Sequence, residues 1–138
     1  AAYKKDNIII QMNNKSGGLW KSDANQWKRF VEQLDTTKVS NVIITLSQPP
    51  TSKGFTDSDE LLLFKQLLEE KLVNKGKNVF VVFDDEKNSV SIENGIRYIG
   101  LKGVKGVKAT SFTSLKECTY LLVTSDNGKV FYQLKSIL

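Results

Sequence analysis

Three short, unbroken apolar runs separated by two helical patterns constrain this chain more than any other feature. Ile8-Ile9-Ile10 with Met12, Val42-Ile43-Ile44-Thr45-Leu46 and Val79-Phe80-Val81-Val82-Phe83 are apolar without alternation and rich in β-branched residues. That is the pattern of strands covered on both faces. After the first run, Asn13-Asn14-Lys15-Ser16-Gly17-Gly18 breaks the strand, and Ser22 or Asp23 can cap a helix. Its apolar residues Ala24, Trp27, Phe30, Val31 and Leu34 fall at helical spacing. The second run stops at Pro49-Pro50, which cannot continue a central ladder. A second helix then opens at Thr56-Asp57-Ser58-Asp59-Glu60, where a side-chain oxygen caps and the carboxylates complement the helix dipole. Leu61, Phe64, Leu68 and Leu72 form its stripe, and Gly76 lies past its end. Strand, helix, strand, helix, strand with short connections predicts a parallel sheet with right-handed crossovers, its strand ends opening toward one edge.

After Phe83 the pattern changes to hairpins. Val90 to Glu93 and Ile96 to Ile99 flank Asn94-Gly95, a pair suited to a type I′ turn. Thr119 to Thr124 and Lys129 to Leu134 flank Asp126-Asn127-Gly128 in the same way. The expected fold class is therefore α/β, a short parallel β-α-β-α-β sheet with two helices followed by antiparallel hairpins. Gly100, Gly103 and Gly106 interleave with Lys102, Lys105 and Lys108 in near-copies of Lys-Gly-Val. A phosphate cradle would open a helix, whereas this stretch follows a hairpin strand and reads as a bulged connection.

A chain of 138 residues closes one core, so residues 1–138 are expected to form a single domain. Its net charge of +5 rests on 18 lysines and only two arginines, Arg29 and Arg97, with the lysines spread along the whole length. A nucleic-acid interface would cluster its charge and use the arginine fork, so no specific nucleic-acid partner is expected. Weak attraction to an anionic cell-wall polymer needs no such site. No run is long enough to span a membrane, and Ala1-Ala2-Tyr3-Lys4-Lys5-Asp6 has no signal-peptide core. A start of this kind, without Met, reads as a segment of a longer chain.

The sequence contains no histidine and one cysteine, Cys118. Neither an intrachain disulfide nor a Cys-His pair is available, and no cofactor is expected. Asp84, Asp85 and Glu86 stand at the C-terminal end of the third strand, where α/β sheets place ligands. They could hold Mg²⁺ or Ca²⁺, or accept a phosphoryl group, if a turn made them converge; the competing reading is a solvated turn. Ser47 and Gln48 could be a nucleophile and a positioning group, but with no imidazole the serine has only a lysine as base. A strand-end loop explains them more simply. Trp20 and Trp27, with Tyr98, Tyr120 and Tyr132, form a sugar-stacking platform if exposed, while the spacing of Trp27 places it in the core and Trp20, beside Gly17-Gly18, either lies exposed or staples the loop.

Three strings occur in a telling order: Gln26 to Leu34 beginning Gln-Trp, Val42 to Pro50 ending Ser-Gln-Pro-Pro, and Asn94-Gly95-Ile96-Arg97-Tyr98-Ile99-Gly100. Together with the opening strand from Asn7 to Asn14, they resemble the C-terminal half of the calcineurin-like metallophosphoesterases over about residues 6 to 103, with 104 to 138 as a hairpin extension. The resemblance implies half of that family's sandwich. It also implies that Ser47 and Gln48, and Asp84 and Asp85, occupy positions where the family carries metal-ligating histidines. The family's two-cation clamp on phosphate needs those ligands. The resemblance therefore implies a non-catalytic structural or interaction domain of a larger bacterial, extracytoplasmic protein, in contact with other domains of that parent chain. Two alternatives stand beside it: the C-terminal portion of an active metal-dependent phosphoesterase whose N-terminal half lies outside this sequence, and a cell-wall or carbohydrate-binding module.

Overall fold

The computed structural model describes residues 2–4, 7–102, 124–126 and 129–131. Each apolar run is a strand. A short β1 (Ala2–Lys4) pairs antiparallel with β2 (Asn7–Gln11), which lies parallel to β3 (Asn41–Leu46), itself parallel to β4 (Asn78–Asp85). Ile9, Ile43 and Phe80 stand abreast across the parallel strands, and so do Ile10, Ile44 and Val81.

The connections carry α1 (Leu19–Ser22), α2 (Gln26–Thr36) and α3 (Ser58–Lys71), the last followed by a 3₁₀ turn at Val73–Lys75. Two right-handed crossovers stepping the same way across a sheet place both long helices on one face. The core lies there: Phe30 and Leu34 of α2 and Phe64 and Leu68 of α3 meet Ile8, Ile10, Val42, Ile44, Val79 and Val81 of the sheet. Phe64 stacks on Phe30 at 5.6 Å and leans on Phe55 at 5.5 Å, which fixes the helices against each other. The stripe read along α3 is the buried one, with Phe64, Leu68 and Leu72 each at 0% exposure.

Asn94-Gly95 makes the expected turn. Both residues have positive φ, 51° and 80°, as a type I′ turn requires, and β5 (Ser89–Glu93) pairs antiparallel with β6 (Ile96–Lys102). One pairing departs from expectation. β6 also lies parallel to β4, so the hairpin adds a fourth parallel strand and leaves β5 at the edge, in the order β1-β2-β3-β4-β6-β5. The turn chemistry dictates only the local pair; burial of Ile96, Tyr98 and Ile99 is gained by docking the inner strand on β4. A separate pair, β7 (Thr124–Asp126) with β8 (Lys129–Phe131), is antiparallel as expected. Cys118, Tyr120, Tyr132 and the Lys-Gly-Val repeats from Gly103 onward lie outside the described residues.

The helix cap differs in part. The residue preceding α2 is Asn25, which makes no side-chain cap bond. Ser22 instead closes α1, its hydroxyl donating to the Gly18 carbonyl and accepting from the Ser16 N–H, while Asp23 accepts from the Asn25 N–H. Of the two expected caps, Asp23 serves, its backbone extended and its carbonyl accepting from the Gln26 N–H in the turn that leads into α2, while Ser22 is drawn to the shorter helix.

On the face opposite the helices, Ile9, Ile43, Phe80, Val82, Ile99 and Leu101 are at 4% exposure or less, and none belongs to the helix-side core cluster. Strand alternation therefore separates two buried faces, the pattern that the unbroken runs foretold. At the N-terminal end of this second face a ladder of amides crosses three strands. Asn78 donates to Asn41 at 2.9 Å, and Asn41 donates to Asn7 at 2.8 Å.

Candidate functional site

The carboxyl ends of the parallel strands form the edge where such sheets hold ligands. In this chain side-chain amides tie together the loops that leave β2 and β3 at that edge. Asn14, at 0% exposure, donates to the carbonyls of Gln48 (3.1 Å) and Gly54 (3.3 Å) and accepts from the Gln48 N–H at 2.9 Å. The Gln48 amide donates to the Lys15 carbonyl at 2.7 Å. Gln26, also buried, donates to the carbonyls of Asn13 and Leu19, both at 2.6 Å, and accepts from the Asn13 N–H at 2.8 Å. These amides spend their donors and acceptors on the backbone of the loops after β2 and β3. The clasp is tight at Gly54, where a Cβ would collide with the Pro49 carbonyl and the Asn14 amide.

Ser47 is half-buried beside this clasp, and no hydrogen bond joins it to a lysine among the described residues. Gln48, at the other position where the resemblance implies a lost ligand, has become a loop tie. Asp84 and Asp85 belong to β4 rather than to a turn, which begins at Glu86. Alternation points Asp85 to the helix side with Phe83, beside Gly100, and Asp84 to the second face with Val82. Asp85 accepts from the Glu86 N–H at 2.8 Å. Among the described residues, no group of three or more acidic or thiol side chains is placed to share a cation. The three carboxylates at this strand end are thus not brought together.

A second concave region lies beside the clasp, between α1, α2 and the start of α3. Glu60, in the first turn of α3, organises it. Its carboxylate accepts from the N–H groups of Leu19 (3.0 Å) and Trp20 (2.9 Å) and from the Trp27 indole N–H (2.8 Å). The loop after β3 joins the same assembly, since the Thr56 N–H and hydroxyl donate to the Gly17 carbonyl at 2.8 and 3.1 Å. Lys21 Nζ donates to Thr56 Oγ1 at 2.5 Å. The result is a cleft of about 520 Å³ walled by Trp20, Trp27 and Leu63, with Asp57 and Asp59 on its rim. Asp57 also caps α3, accepting from the Asp59 N–H at 2.9 Å.

Sequence reading allowed an exposed Trp20, which is 64% exposed, but put Trp27 in the core, whereas it is half-buried, lining the cleft and edge-on to Phe30 at 5.8 Å. It missed Glu60, taking it for a dipole complement. A signal was present: Gly17 and Gly18 open a short helix with no capping side chain, so its first N–H groups need an acceptor from elsewhere. Tyr98 does not join the platform. Its ring is in the helix-side core, with Lys65 Nζ at 5.5 Å from its centroid. Burial, then the carboxylates of Glu93 and Glu69, push its phenol far above its usual range. No family model, curated protein or solved structure matches the chain.

Proposed function

We propose that the chain is a non-catalytic, metallophosphoesterase-like domain that serves as a structural or interaction module of a larger bacterial, extracytoplasmic protein. The observation that carries this reading is the amide clasp at the ligand edge. Asn14, Gln26 and Gln48 direct their polar atoms at loop backbone. The composition supports it, because a chain without histidine lacks the imidazoles of the family's two-cation site. The spread of Asp84 and Asp85 over opposite faces of β4 also favours it, since a hard cation needs several oxygens at once.

The test is hydrolysis of bis(p-nitrophenyl) phosphate with added Mn²⁺ by the longest protein that contains this chain. The reading predicts turnover no greater than the metal-only blank. Turnover that falls at least tenfold in Asp84→Asn or Gln48→Ala would overturn it.

A further inference from the structure

We propose that the cleft between α1, α2 and the first turn of α3 docks one cationic side chain, lysine or arginine, carried on an apolar peptide segment of a partner protein. The inference rests on the reading of the chain as an interaction module and names what that module receives.

Two large apolar side chains that line this cleft stay in solvent, Trp20 at 64% and Leu63 at 47% exposure. Large side chains gathered at one concave place mark a binding surface more strongly than the same residues scattered singly. The volume of about 520 Å³ fits a side chain with its flanking backbone. The walls are also held in place before anything binds. Glu60 fixes the Trp20 backbone and the Trp27 indole, and Phe30 supports the Trp27 ring from the core side. Preorganisation of this kind lowers the ordering cost of association.

Hydrogen-bonding capacity then selects the occupant. The Leu19 and Trp20 N–H groups and the Trp27 indole N–H are already taken by Glu60, and Lys21 Nζ gives one of its three donors to Thr56 Oγ1, in a lining that also holds three carboxylates. What the cleft offers outward is indole faces and the rim carboxylates of Asp57 and Asp59. An occupant that needs donors from the protein, such as an anion, is poorly served. One that brings only donors on an apolar stem is well served, because an ammonium or guanidinium stacks over an indole while a carboxylate neutralises it. Charge agrees: Asp57, Asp59 and Glu60 face Lys21 alone, which reverses locally the sign of a chain carrying +5 overall. Leu63, in the wall, is placed to cover a flanking apolar residue of such a peptide.

The chain has only two tryptophans and both line this cleft, so intrinsic fluorescence reads it directly. The probes are an acetylated, amidated leucine-lysine-leucine peptide, its twin with norleucine in place of lysine, and chitotetraose. The expected result is saturable quenching by the charged peptide, at least about tenfold tighter than by the twin. Calorimetry should then show Trp20→Ala and Asp59→Asn each losing that preference and Lys21→Ala strengthening it, with unchanged circular dichroism in all three. Equal affinity for the two peptides, a charged peptide indifferent to Trp20→Ala, no binding at millimolar peptide, or saturation by chitotetraose instead would each overturn the proposal. Phosphodiesterase activity of the longer protein that falls at least tenfold in Asp84→Asn or Gln48→Ala would overturn the proposed function and leave this docking result standing.

Discussion

At the scale of single residues, the structure separates side chains whose polar atoms are used from those whose atoms are buried at a cost. Tyr98 is the clearest of the second kind: its ring is 6% exposed and its hydroxyl has no partner among the described residues. An unpaired buried hydroxyl is a desolvation cost that phenylalanine avoids in the same shape. Tyr98→Phe is therefore expected to raise stability by about 1 kcal/mol in urea unfolding at neutral pH. The phenol's pH dependence follows from the same burial. Its folded pKa lies above the unfolded value of about 10, so the native state keeps a proton that the unfolded chain releases. The contribution is constant below about pH 10 and is lost as pH rises beyond it. The stability gap between Tyr98→Phe and the parent chain should widen above pH 10; a constant gap would show that the hydroxyl is not protected.

At the scale of elements, the least obvious tie is between α1 and α3. α1 is too short to hold itself in water, and its N-terminal N–H groups are satisfied only by Glu60, 41 residues away from Leu19. Glu60→Ala removes three charge-assisted bonds, partly screened by solvent, and should cost about 2 kcal/mol. It should also red-shift and broaden the tryptophan emission as the Trp27 indole loses its partner. Glu60→Gln should retain part of both. No local pattern announces such a pairing. β2, β3 and β4 were legible because β-branched runs between helix stripes have few other uses, and the β5–β6 turn because Asn94-Gly95 supplies two positive φ values. The parallel docking of β6 on β4 was not legible, since it depends on which strand edge the hairpin meets. The amide ladder Asn7, Asn41 and Asn78 was hidden likewise: three asparagines at strand starts become partners only once the register is known.

At the scale of the whole molecule, the described residues form a mostly parallel sheet with their helices on one face, and at the edge suited to ligands the loops after β2 and β3 are tied together by amides. The residues at those strand ends, Ser47, Gln48, Asp84 and Asp85, and the lack of any imidazole there could be read from the sequence. How the loops there are tied could not. Gln48 reads as a remnant in sequence, yet its amide and backbone bind the two loops together through Lys15 and Asn14. The carboxylates of Asp84 and Asp85 are adjacent in sequence and divided by strand alternation, so their number overstates what they can hold. Of the four large apolar side chains exposed among the described residues, Trp20 and Leu63 line the cleft, and the strand-end carboxylates do not. The central claim, that the ligand edge is structural, is tested most directly by calorimetric titration of Mn²⁺, Mg²⁺ and Ca²⁺ into the chain near neutral pH. The account predicts affinities of millimolar or weaker for all three, unchanged in Asp84→Asn and Asp85→Asn. Micromolar binding of any of them that either substitution abolishes would contradict it.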